Sequence, residues 1–167
     1  MTSFKRCFPP VVDAHTRVLI LGSLPGEASL AHQQYYAHKQ NQFWKLVGDV
    51  IGKNLVVMDY PARLNTLLEH RIGVWDVVQE AQRTGSLDSR IRNHASNDLN
   101  VLVETLPNLL AIAFNGGTAA KIGMRALGET ASRYRIIRLP SSSPAYAAVS
   151  YQEKLIEWRG LREHSVD

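Results

Sequence analysis

The sequence predicts an α/β fold, a three-layer sandwich with a central, mostly parallel four-stranded sheet flanked by helices. Three observations lead there. Short apolar runs rich in Leu, Ile and Val alternate with stretches of helical period, as expected of strands covered on both faces. The runs are separated by enough chain for a crossover helix, which joins parallel neighbours rather than hairpins. The unusual segments GSLPG, FNGG and LPSSSPA all fall at the ends of such runs, so one edge of the sheet would collect them.

Residues 17–22 (RVLILG) form the first expected strand, an apolar run ended by glycine. Residues 27–34 are expected as a short helix and residues 42–51 (QFWKLVGDVI) as a more clearly amphipathic one. Pro61 suits the first turn of a helix running to about His70. A second strand is expected at residues 73–78 (GVWDVV), and residues 82–96 read as polar and irregular. Asn97 or Asp98 caps a helix through Leu106, which Pro107 ends. A third strand covers residues 109–114 (LLAIAF), and Gly116 and Gly117 open a helix to about Leu127. Residues 135–139 (RIIRL) are the fourth strand, and a last helix spans about 150–163. No repeat, low-complexity tract or linker divides the chain, so one domain over residues 1–167 is expected.

Composition narrows the function classes. Hydrophobic residues make up 45% and charged residues 20%, the composition expected of a soluble globular protein. The net charge of +4 is compatible with a polyanionic partner without requiring one. The single cysteine, Cys7, cannot form an internal disulfide, and the six histidines have no metal-ligand spacing, so neither metal nor cofactor is expected. The start MTSFKRCFPP lacks the apolar core of a secretory signal, and no segment approaches the roughly 18 apolar residues of a membrane span. A cytoplasmic monomer without a membrane partner is the expectation.

Three segments carry candidate chemistry. In GSLPGEASL, glycine and proline make a tight turn whose backbone amides could face a ligand at a helix start, though a plain strand-to-helix turn reads the same way. In YYAHKQNQFW, residues 35–44, Phe43 and Trp44 read as core anchors, Tyr36 as a packed ring and Asn41 as a helix cap. LPSSSPA offers serine hydroxyls and amides between prolines, suited to gripping a phosphodiester or to an ordinary serine-rich turn.

Taken in order, GSLPG, YYAHKQNQFW and LPSSSPA resemble the signature loops of the uracil-DNA glycosylase superfamily. Together with GVWDVV, GSLDSRIRN followed by NDL, and FNGGTAAK, they resemble in particular its hypoxanthine-DNA glycosylase (DNA-deoxyinosine glycosylase) branch. The resemblance implies a uracil-DNA glycosylase-like sandwich acting on DNA that contains a deaminated base. In uracil-specific relatives, the third position of the first motif carries Asp or Asn, and the last motif often opens with His or Asn. Here those positions are Leu24 and Leu139, which argues against ordinary uracil excision. The resemblance makes Asn41 the catalytic residue and Tyr36 the aromatic that stacks on the flipped base. Lys39 stands where proline is expected, which either loosens the loop or serves to touch phosphate.

A deaminated purine such as hypoxanthine shows an acceptor at O6 and a donor at N1–H. Gly22, Ser23 and Leu24 would line the base pocket, with the amides of Ser23 and Leu24 toward O6. Asp76 would accept from N1–H, or is instead a structural charge, and Asn115 is a further pocket amide. Ser141, Ser142, Ser143 and Pro144 would hold the DNA backbone, with Tyr146 a candidate wedge. Two other functions fit the same residues: a DNA-binding module that has lost its chemistry at Leu24 and Leu139, and an α/β enzyme acting on small nucleotides. Excision of uracil or xanthine from mismatches is the alternative within the superfamily.

Overall fold

The computed structural model describes residues 3–83, 86 and 92–164, and its centre is the expected parallel sheet. Four strands, β2 (Val18–Gly22), β3 (Ile72–Asp76), β6 (Ala111–Asn115) and β7 (Arg135–Leu139), lie in the order β3-β2-β6-β7. All three pairings are parallel. From Val18 to Leu21, β2 is wholly excluded from solvent because helices cover both faces. Its alternate residues serve two cores. Val18 and Ile20 pack with Phe43, Trp44, Leu46 and Trp158, whereas Leu19 and Leu21 pack with Ile112, Phe114, Leu99 and Val103.

The helices are α1 (Glu27–His32), α2 (Phe43–Ile51), α3 (Tyr60–Glu69), α4 (Leu99–Glu104), α5 (Gly117–Leu127) and α6 (Tyr151–Trp158). Local signals set their starts. Asp59 accepts from the Ala62 N–H and Asp98 from the Val101 N–H. Of the two expected caps, Asp98 does the capping. Asn97 is buried and donates instead to the Asp76 carbonyl at 2.7 Å. Ser150 and Glu153 form a reciprocal capping box that starts α6. That helix ends at Trp158 and tightens into a 3-10 turn over Arg159–Glu163, so the expected 150–163 helix is two elements.

Two sequence expectations are corrected. Residues 73–78 are not one strand. β3 ends at Asp76, and from Val78 the chain enters β4 (Val78–Arg83) of a separate antiparallel sheet. The supposedly irregular residues 82–96 contain the end of β4 and all of β5 (Arg92–Ser96); β4 pairs with β5 on one side and with β1 (Ser3–Arg6) on the other, in the order β1-β4-β5. The ladder between β4 and β5 shifts register twice, between Val78 and Glu80 and again between Glu80 and Gln82, which erases the alternation that would have marked these strands. Of the GSLDSRIRN segment, all but Ser86, Arg92 and Asn93 lie outside the described residues.

Register decides where the site forms. Gly22 pairs with Asp76, Leu21 with Phe114, and Asn115 with Leu139. The carboxyl ends of all four strands therefore finish in one row. In chain order the strands run second, first, third, fourth across the sheet, so connections leave β2 and β6 in opposite directions and open a crevice between their ends.

Candidate active site

A cavity of about 1000 Å³ lies over that row of strand ends. Its floor is Gly22, Asp76, Asn115 and Leu139, one residue from the end of each strand. Gly22 is small for a specific reason. A Cβ there would stand 2.7 Å from Asp76 Oδ1 and 2.7 Å from the Tyr36 hydroxyl, so both polar groups close in over its Cα. The loop after β2 is held from below, since the Val77 and Val78 N–H groups donate to the Gly22 and Ser23 carbonyls at 2.8 and 3.0 Å. Ser23 and Leu24 are thereby fixed on the wall. Leu24 also belongs to the apolar core that holds Val77 and Val78.

The next loop supplies an aromatic wall. Tyr35 turns inward: its hydroxyl donates to the Pro9 carbonyl at 2.9 Å, its N–H donates to the Tyr60 hydroxyl, and its carbonyl accepts from Trp44 Nε1. Burial, reinforced by the Asp76 carboxylate, pushes the Tyr35 phenol far above the usual tyrosine range, so it stays neutral. Tyr36 takes a left-handed backbone conformation (φ 54°), costly for a non-glycine residue, and this sends its ring the other way. The ring stacks on Phe43 at 3.9 Å with the planes 15° apart, and it lines the cavity. Phe43 is thus both a core anchor and the backing of a pocket aromatic.

Asn41 stands one residue before the cap of α2, which is Gln42 rather than the expected Asn41. Its Oδ1 accepts from the Phe43 N–H at 3.0 Å at the start of α2, while its side chain is half-buried on the cavity wall. That bond orients the amide and leaves Oδ1 one lone pair. Nδ2 has no hydrogen-bond partner among the described residues. The preceding turn is tied by the His38 carbonyl, which accepts from the Asn41 N–H, and by His38 Nδ1, which accepts from the Gln40 N–H.

The loop after β7 closes the far side. Asn115 is buried and grips Ser142 twice: Oδ1 accepts from the Ser142 N–H at 2.9 Å and Nδ2 donates to Ser142 Oγ at 2.9 Å. The Ser142 carbonyl in turn accepts from the Gln42 N–H, joining this loop to the one carrying Asn41. Ser141, Ser143, Pro144 and Tyr146 line the same cavity, with Pro144 and Tyr146 exposed at its mouth.

The structure therefore brings Gly22, Ser23, Leu24, Tyr36, Asn41, Asp76, Asn115, Ser141, Ser142, Ser143, Pro144 and Tyr146 around one space. Lys39 is exposed and stands outside the cavity wall. Sequence reasoning missed His38, Thr118 and the α1 residue Ser29, all of which line the cavity. It also missed Lys154, which is buried in α6 and donates to Gln42 Oε1 at 3.0 Å. A signal for Lys154 was available, because it occupies the same helical face as Tyr151, Leu155 and Trp158, where an apolar residue is expected. Among the described residues, no group of three or more His, Cys, Asp or Glu side chains could hold a metal ion. No described helix is long and apolar enough to cross a membrane.

Comparison with known proteins gives concordant matches. The profile of the uracil DNA glycosylase superfamily matches residues 9–161. A hypoxanthine DNA glycosylase of Methanosarcina acetivorans is 43% identical over 162 residues, covering 96% of this chain and 99% of that protein. A hypoxanthine DNA glycosylase of Methanosarcina barkeri is 41% identical over 126 residues, 74% of this chain and 80% of that protein. The solution NMR structure of a Methanosarcina acetivorans protein, provisionally named a uracil DNA glycosylase, superimposes with a TM-score of 0.83 at 43% identity. It covers 97% of this chain and 98% of that one.

Proposed function

The chain belongs to the uracil DNA glycosylase superfamily, and from that premise we propose that it is a monofunctional DNA glycosylase that excises hypoxanthine from DNA. The carrying observation is the placement of Asn41 on the wall of a cavity that also presents the Tyr36 ring, with Leu24 where uracil-specific relatives have a polar group. The two relatives named hypoxanthine DNA glycosylase support the choice of base.

The damaged nucleotide leaves the stack, a step that costs least at a mispaired base. Its base enters the cavity against the face of Tyr36 that Phe43 does not cover. The amides of Ser23 and Leu24 meet O6, and Asp76 accepts from N1–H. Water held on the remaining lone pair of Asn41 Oδ1 adds to C1′ of the sugar. The C1′–N9 bond breaks with its electron pair going to the base, and the proton lost by the water balances the charge of the leaving group. An amide is a weak base, so acceleration comes from orienting the water and from donors that stabilise the departing base. No lysine lines the cavity among the described residues, which supports hydrolysis over a Schiff-base route.

We take the enzyme to act as a cytoplasmic monomer folded as one domain over residues 1–167. The test uses duplexes carrying one hypoxanthine or one uracil, incubated with chelator and then cleaved at abasic sites with alkali. Breaks at hypoxanthine that vanish in Asn41→Ala are expected. Breaks at uracil alone would overturn the substrate, and no breaks on either duplex would overturn the activity.

A further inference from the structure

Lys154 is an unusual lysine. It is 2% exposed, yet among the described residues no carboxylate lies within ion-pairing distance of it. Its ammonium has two neutral companions, Gln42 Oε1 at 3.0 Å and the ring of Tyr146, whose centroid is 5.5 Å away. The neighbouring Glu153 is committed elsewhere, with Oε1 accepting from Ser150 Oγ at 3.0 Å. Lys154 also lies in the first turn of α6, where the helix end is itself positive and disfavours a cation. Burial accordingly lowers its pKa below the ordinary lysine value. A buried charge without a counter-charge is expensive to keep in the free protein.

Its location supplies a reason. Gln42, which holds the ammonium through its side chain, donates its N–H to the Ser142 carbonyl, and Tyr146 stands 41% exposed at the mouth of the cavity. The lysine thus touches the two residues, Gln42 and Tyr146, that adjoin the serine loop. We propose that Lys154 is an anion-binding residue, the buried counter-charge for one DNA phosphodiester held on the Ser141–Ser143 loop. Gln42 and the face of Tyr146 hold the ammonium in place until that phosphate arrives. The assignment rests on the glycosylase reading, because it takes the polyanion crossing the loop to be DNA.

The experiment compares wild type, Lys154→Met and Lys154→Arg on a hypoxanthine duplex made resistant to cleavage by a 2′-fluoro group on the damaged nucleotide. Binding is measured across salt concentrations, and each free protein is melted without DNA. The Met variant is expected to melt at the same or a higher temperature, since it removes an uncompensated buried charge. It should bind about tenfold more weakly at low salt, with the slope of log affinity against log salt shallower by about one. The Arg variant should keep the wild-type slope. A scan replacing single phosphates by methylphosphonate should find one position that weakens wild type and leaves the Met variant unaffected. A Met variant that melts clearly lower or does not fold would make the lysine structural and overturn the proposal. So would an unchanged salt slope, or methylphosphonate sensitivities equal to those of wild type. Wild type that neither binds nor cleaves any hypoxanthine duplex would instead overturn the glycosylase reading itself.

Discussion

The two loops that face each other across the cavity are held in opposite ways. Residues 35–44 are locked along their length: Tyr35 is bonded at its N–H, carbonyl and hydroxyl, Tyr36 is stacked on Phe43, and Asn41 is bonded to the start of α2. Residues 140–146 are held only at their near end, where Trp158 Nε1 donates to the Pro140 carbonyl and Asn115 and Gln42 hold the buried Ser142, while Pro144, Ala145 and Tyr146 stand in solvent. A loop that orients water and a base must be fixed before substrate arrives, because misplacement by an ångström costs rate. A loop that meets a DNA backbone gains from small donors on an open surface, since phosphate contacts position the duplex without reading it.

The largest effect should come from the locked loop. Asn41→Ala is expected to reduce hypoxanthine release by at least roughly 100-fold while changing duplex affinity by less than about threefold, as measured by single-turnover cleavage and equilibrium binding. Equal losses in both would break the division of labour between the loops. Gly22→Ala comes next. Its new methyl group would stand 2.7 Å from both Asp76 Oδ1 and the Tyr36 hydroxyl, side-chain ends that can move aside. The fold should survive, but the displaced groups are the pocket walls, so kcat/KM should fall by about tenfold or more. A variant with wild-type kcat/KM would remove Asp76 and Tyr36 from base recognition.

Asn115→Ala tests the side-chain grip on Ser142 in the serine loop. It deletes both bonds to Ser142 and leaves a buried backbone N–H unpaired, which should cost ~1–3 kcal/mol. At ~2–4 °C per kcal/mol for a chain of this size, Tm should drop by several degrees in a thermal melt. An unchanged melt would mean the loop is held by contacts other than these. The smallest effect on the fold belongs to Tyr146→Ala. The ring is exposed, so Tm should move by less than about 2 °C, whereas duplex affinity should fall a few-fold through loss of a surface contact. A large loss of stability would show that Tyr146 belongs to the fold.

Legibility in the sequence followed how a residue's surroundings are built. β2 was readable because helices cover both its faces, which leaves a run of apolar residues whatever the neighbours are. β7 was readable over its full length, RIIRL, between turn residues. The antiparallel sheet was not. β1 pairs with β4 some 80 residues away, the ladder to β5 is bulged, and residues such as Arg6, Gln79 and Glu80 are polar, so neither alternation nor apolar content marks it. Asn41 was legible by its place in a motif, but not that its amide accepts from the Phe43 N–H while facing the cavity.

By itself, then, the sequence determined the order and type of the parallel strands and their helices, and the three loops at the strand ends. Local pattern, capping and turn chemistry depend on neighbours within a few residues. Only the tertiary structure decided that Gly22, Asp76, Asn115 and Leu139 end in one row, that the aromatic and serine loops are joined through Gln42 and Ser142, and that the buried Lys154 donates to Gln42. Those facts depend on strand register and on contacts between residues up to 112 positions apart, which no local pattern encodes.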